Sequence, residues 1–377
     1  PDSDSSLEIS GILGTPKLYW VKSASNYFSG LVFGDGQLTE SSLVTIPSVP
    51  VAEPRSSHGL SAAQIGRCTK DTNAAMQDCL TARLFDVKGN SDDPFISVFG
   101  SHGHQKEIHD LGYKNDSYGF LGGLDFVKTL KSGAFVRYGL LASFSHSSAK
   151  FFGSETENGK FARQNAIFGG VFGSYEGFNA KGLKNNFNLT VGIGHARNKV
   201  WRTDLADNRY DGKFNSINFY AHCEFVKNLM RIGNVQIGPW AAASYNHITQ
   251  RKYSELGNST NAATVNRMDF DSLEAILGLN LEREFHNSHD NEKRIKVFAR
   301  AGWEYGAVDS HSPCEITIGG ENSISNAFSS KSKHYLFLSC GLRARLSKHL
   351  EISGIILGRV NRNRSFLSAS VCVGYSF

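Results

Sequence analysis

Three histidines, His102, His104 and His109, form the densest group of metal-ligand side chains in the sequence, and His102 and His104 would share one face of an extended segment. A zinc centre would need further N, S or O ligands. No cysteine or carboxylate set recurs at matching spacing, so no metal is expected here. The cysteines, Cys68, Cys79, Cys223, Cys314, Cys340 and Cys372, contain no C-x-x-C pair. Only Cys68 and Cys79 are near one another. On one continuous helix they would stand about 16 Å apart along its axis, too far to bridge, so a disulfide between them would require a later helix start. Phe168-Gly169-Gly170-Val171 lies inside a strand-like pattern rather than before a helix, which excludes a phosphate-cradling loop. A barrel hydrolase would need a Ser–His or paired-carboxylate constellation at one rim. No such constellation stands out, and the sequence implies no catalytic residue and no cofactor.

What the sequence does specify is a scaffold. Among 377 residues there are 38 Gly, 26 Phe and 13 Tyr but only 8 Pro and 3 Met, a composition that points to an all-β chain. The net charge of +5 is small and scattered, which argues against a nucleic-acid partner. No apolar run approaches the ~18 residues of a transmembrane helix, although a membrane barrel is apolar only at alternate positions and would not show one. The chain opens on Pro1 without a charged-then-apolar leader, so it reads as part of a longer precursor or a mature form.

The last stretch sets the pattern. Leu367, Ala369, Val371, Val373, Tyr375 and Phe377 are apolar, and Ser368, Ser370, Cys372, Gly374 and Ser376 between them are small or polar. This is period-two alternation over the ~9–11 residues that a tilted strand needs to cross a bilayer. Twelve such strands can be laid out, at 94–104, 117–128, 134–150, 161–177, 183–200, 212–227, 234–253, 270–285, 294–308, 334–347, 350–360 and 366–377. The first, fourth and eleventh are apolar on both faces and have no readable direction. Connections after even strands (129–133, 178–182, 228–233, 286–293, 348–349) are short. Those after odd strands (105–116, 151–160, 201–211, 254–269, 309–333) are long, with 361–365 the exception. Outer-membrane barrels sort their loops in this way, whereas a Greek-key sandwich has no reason to.

The expected fold is therefore a 12-stranded antiparallel up-and-down transmembrane β-barrel. Its apolar face meets outer-membrane lipid, and Tyr118, Tyr138, Tyr175, Tyr245, Trp303 and Tyr375 lie where interfacial aromatics belong. Residues 59–88 read as the single convincing helix, of the right diameter to fill the lumen of residues 89–377. Upstream, 46–58 is a proline-punctuated linker and 1–45 the tail of a β-rich region.

With helix, strands and terminus in this order, 59–377 resembles the translocator domain of autotransporters (type V secretion). Tyr118-Gly119-Phe120-Leu121-Gly122-Gly123-Leu124-Asp125 matches that family's Tyr-Gly-x-x-x-Gly-x-Asp strand, and Arg83-Leu84 lies near the end of the pre-barrel helix. Trp303-Glu304 resembles its Trp-x-His-Glu but lacks the histidine, and Gly341-Leu342-Arg343 resembles its tenth strand. Val371, Val373, Gly374, Tyr375 and Phe377 are similar to the terminal signal read by the barrel-assembly machinery. The resemblance implies an anchor in the bacterial outer membrane whose own N-terminal passenger reaches the cell surface or is secreted. Paired asparagines like those cleaved in some members are missing from 59–88, which leaves Asn73 as the place to look for self-cleavage. Inward Asp125, Arg137, Glu224, Glu274, Arg300, Glu304, Arg343 and Arg345 are expected to meet Lys70, Asp78 and Arg83 of the helix. Two alternatives stand beside this reading: a passive porin, which needs an open lumen, and an outer-membrane hydrolase.

Overall fold

The computed structural model describes residues 7–8, 17–22, 27–32, 57–84, 93–108, 111–152, 160–180, 182–203, 208–257, 262–287, 290–318, 321–325, 334–347 and 349–375. They fall into two units, 1–55 and 56–377. In the first, Leu7–Glu8, Lys17–Lys22 and Tyr27–Val32 form a small antiparallel sheet with Lys17–Lys22 in the middle. The proline-rich run 46–56 lies outside the described residues.

The second unit opens with helix α1, Ser57–Leu84. It continues into twelve long strands: β1 Asp93–Ile108, β2 Leu111–Thr129, β3 Phe135–Phe152, β4 Lys160–Phe178, β5 Lys184–Thr203, β6 Arg209–Lys227, β7 Val235–Gln250, β8 Met268–Asn287, β9 Asp290–His311, β10 His334–Arg345, β11 Leu350–Val360 and β12 Arg364–Tyr375. Each pairs antiparallel with its sequence neighbour. β12 returns to β1, from Arg364↔Gln105 to Gly374↔Phe95, and closes the ring. Closure leaves no sheet edge, which is the condition for a strand structure to stand in hydrocarbon.

Side chains alternate between the two faces without interruption from Arg364 to Tyr375 on β12. Val371, Leu367 and Tyr375 are exposed on the outside, while Ser368, Ser370 and Cys372 are buried inside. The outer face carries two aromatic girdles, as a membrane barrel requires. Tyr118, Tyr245 and Trp303 lie toward the long-loop ends of their strands, and Tyr138, Tyr175 and Tyr375 toward the short-turn ends, all outward-facing.

Glycine sets the short turns. The β2–β3 and β4–β5 connections each close with a glycine in the left-handed region, Gly133 at φ 79° and Gly182 at φ 68°. In the first, the Gly133 N–H donates to Leu130 O and the Leu130 N–H to Ala134 O, the pattern of a three-residue hairpin loop.

Two of the strands with no readable direction, β1 and β4, owe their double apolar character to inward phenylalanines laid over glycines. Phe95 and Phe99 of β1 cover Gly123 and Gly119 of β2, where an added Cβ would come within 2.6 Å of the ring. Phe168 and Phe172 of β4 lie in the same way over Gly192 and Gly139. These rings fill the gaps that strand glycines leave, so an apolar residue on these strands does not mark the lipid side. Two of the expected long loops are themselves structured: Ala263–Val265 pairs with Cys314–Ile318, which pairs with Glu321–Ser325.

Candidate functional site

The lumen is occupied by α1. Every residue from Gln64 to Leu84 is buried, polar and apolar alike, so over this span the helix has no solvent face and no lipid face. The helix runs unbroken through Cys68 and Cys79, and both are free thiols.

At the long-loop end the packing is apolar. Ile65 and Cys68 join Ala149, Phe151, Ala162, Val200, Tyr253, Val265 and Ile316 in one cluster. Gly66 lets the helix approach β8, since a Cβ there would come within 2.7 Å of the Phe270 ring.

The middle is polar and paired. Lys70 Nζ reaches Glu274 Oε1 at 2.7 Å, and Glu274 also meets Arg359, which turns to Glu304 at 3.3 Å. Asp71 takes an ion pair from Arg364 and the Tyr113 hydroxyl at 3.1 Å. Arg67 pairs with Asp309 at 3.1 Å. Asn73 bridges Asn246 and Asn218, Thr69 accepts from Gln164, and Ser368 donates to Asp78.

The short-turn end is a guanidinium cluster. Arg83 binds Asp125 through Nε at 3.1 Å and Glu351 through Nη1 at 2.9 Å. Arg343 Nη1 donates to the Arg83 carbonyl at 2.8 Å, Arg137 Nη1 donates to the same carbonyl at 3.5 Å, and Asn186 donates to the Leu84 carbonyl at 3.5 Å. The last carbonyls of a helix have no partner within it and carry the negative end of its dipole. Here the barrel wall supplies cations to them. Gly374 belongs to this cluster, because a Cβ on it would collide with the Arg83 guanidinium.

Of the inward residues singled out from sequence, Asp125, Arg137, Glu274 and Arg343 touch the helix directly. Glu224 and Arg300 instead bind each other at 2.8 Å, Glu304 binds Arg359, and Arg345 binds Glu351, so these four pair within the wall. Asp309, Glu351, Arg364 and Tyr113 make contacts that sequence reasoning missed. Parity marks all of them as inward, but only the three-dimensional register of helix against wall says which inward groups meet it. Val371, Val373 and Tyr375 face outward, and Phe377 lies outside the described residues. Of the histidine group, His102 is on the outer wall with Nδ1 2.7 Å from Asp116, and His109 is outside the described residues. Among the described residues, no group of three or more His, Cys, Asp or Glu is placed to share an ion.

Little space remains in the lumen. The voids beside Thr69 and Asn73 and beside Asp71 and Glu304 measure about 10 Å³ each, room for roughly one water apiece. A passive porin needs an open channel, and this lumen is occupied by the buried span 64–84 of α1.

A closed barrel of this size, threaded by its own preceding helix, defines a translocator of the type V class. The autotransporter β-domain family model matches residues 94–354, more than half of the chain. The chain belongs to the autotransporter β-domain family, and its barrel is an outer-membrane translocator domain. It is similar in fold to the translocator domain of NalP from Neisseria meningitidis, with a TM-score of 0.58 at 15% identity, covering 85% of this chain and 98% of that one. The transport unit of AIDA-I from Escherichia coli matches with a TM-score of 0.55 at 11% identity, covering 84% and 99%. The β-domain of the Bordetella autotransporter BrkA matches with a TM-score of 0.54 at 14% identity, covering 76% and 100%. No curated protein matches by sequence.

Proposed function

We propose that the barrel anchors an upstream passenger on the outside of the cell, with α1 left in the pore as the last part of the exported segment. The observation that carries this reading is the direction of the helix. Ile65 and Cys68 pack at the long-loop ends of the strands, and Arg83 at the short-turn ends. Long loops are external in outer-membrane barrels, so the chain preceding α1 leaves toward the surface. Residues 1–45 are then the end of the passenger and 46–56 a linker, since Ser57 already opens α1. A lumen lined by Ser, Asn, Gln and paired ions suits transit, because its hydrogen bonds can be exchanged with a moving backbone or with water, whereas an apolar sleeve would hold whatever entered it.

In the same reading the apolar outer wall contacts membrane lipid, and Val371, Val373, Gly374, Tyr375 and Phe377 present the assembly machinery with its recognition strand. Catalysis has no part in this role. An epitope placed within 1–45 should be removed by protease added to intact cells, while one inserted at Ser132 in a short turn should survive until the cells are opened. The reverse pattern would overturn the orientation. Deleting 59–88 should raise single-channel conductance in planar bilayers, and unchanged conductance would place the helix outside the pore.

A further inference from the structure

The outer wall is not uniform at its long-loop end. On β2 to β6 it carries Lys114, Lys150, Arg163, Arg197, Lys199 and Lys213, five of them exposed and Lys199 half-buried. The register places these charges directly against one another: Lys114 opposite Lys150, Arg163 opposite Lys199, and Lys199 opposite Lys213. Like charges directly opposed across a sheet are destabilising. Among the described residues, two carboxylates share this surface. Asp116 is engaged by His102, and Asp211 is shared between Lys199 at 3.7 Å and Arg209 at 3.1 Å. Two stacked aromatic rings, Phe161 and Trp201, steady the cations, with Lys150 lying 5.8 Å from the first and Arg163 5.3 Å from the second.

The same level of the wall on β7 and β8 is built differently. There Tyr245 and His247 both bind Asp271 at 2.9 Å, and Thr249 and Arg267 bind Asp269. Those groups satisfy one another. The β2–β6 patch has an excess of positive charge, about 20 Å wide at the usual strand spacing. Immediately toward the membrane centre it passes into exposed Phe120, Phe144, Ile167, Ile193 and Ile217.

We propose that this patch is a binding site for a phosphate-bearing lipid of the outer leaflet, its phosphates on the cations and its acyl chains on the apolar wall beneath. Charge excess and continuity with the hydrocarbon-facing surface together argue for a lipid rather than a free anion. Phosphate takes charge-assisted hydrogen bonds from several Lys and Arg groups at once, and it removes the repulsion that the register builds in. The inference rests on the membrane orientation given above, but its test does not depend on that orientation.

The probe is a bisphosphorylated, acylated glucosamine disaccharide, added to the purified full chain in detergent and followed by native mass spectrometry. The triple variant Lys150→Gln/Arg163→Gln/Lys199→Gln should bind it at least tenfold more weakly than the parent, and Arg267→Gln, beside β8 and outside the patch, should bind it as the parent does. Without lipid, the triple variant should melt at or above the parent's temperature, because opposed charges have been removed. Equal binding by parent and triple variant, or equal binding of the dephosphorylated glycolipid, would overturn the proposal. So would inorganic pyrophosphate competing at the glycolipid's own affinity, since the site would then recognise an anion and not a lipid.

Discussion

Ser370 and Val371 are consecutive residues on β12, one buried against the lumen contents and the other half-exposed on the outside. The inner face of the barrel accommodates Asp125, Glu274, Glu351, Arg300 and Arg343 in deep burial because every one of them is paired. The outer face at the same depth carries Leu, Ile, Val and Phe because lipid offers no partner to an ion. The lesson is that burial alone does not set what a position tolerates; the available partners do. A charge inside is costly to remove, and a charge outside is costly to add.

The largest effect is expected inside. Arg83→Ala would strip two buried ion pairs from the helix C-terminus and leave Asp125 to Arg137 and Glu351 to Arg343. Two charged hydrogen bonds at about 1.5–3 kcal/mol each put the cost at about 3–6 kcal/mol. Urea unfolding of the purified protein in detergent would measure it, and a loss below about 1 kcal/mol would mean that the network does not hold the helix. Val371→Arg makes the opposite move on the outer face and should cost ~2–4 kcal/mol near the membrane midplane. Normal heat-resistant migration of that variant on gels would contradict the lipid-facing assignment. The smallest contrast uses glycine. Gly66→Val forces a branched side chain against Phe270 and should cost about 1–3 kcal/mol. Gly169→Val, on the outer face with nothing within 4 Å of its Cβ, should change stability by no more than about 0.5 kcal/mol. Equal effects of these two substitutions would show that the helix is not tightly packed against the wall.

Much of the barrel was legible in the sequence because period-two alternation is a local signal. The spans of β2, β3, β5 and β8 can be read from one strand's own residues, and loop parity gives the topology. What escaped depends on neighbours. Inward Phe95, Phe99, Phe168 and Phe172 look lipid-facing until the glycines across from them are seen. The strands within 254–269 and 309–333 pair with each other, so neither shows its character alone. The helix contacts are the extreme case. Arg364 reaches Asp71 across most of the chain, and nothing near either residue announces the pair. Glu224 and Arg300, read as inward from parity, find each other on the wall rather than the helix.

The central claim is that one strand separates two environments residue by residue. Nitroxide labels placed singly at 367 to 373 on β12, in the protein reconstituted into lipid vesicles, would report it through collisions with dissolved oxygen and with a water-soluble nickel chelate. High oxygen accessibility at 367, 369, 371 and 373, with low values at 368, 370 and 372, is the predicted result. Flat or inverted accessibility along these seven positions would contradict it.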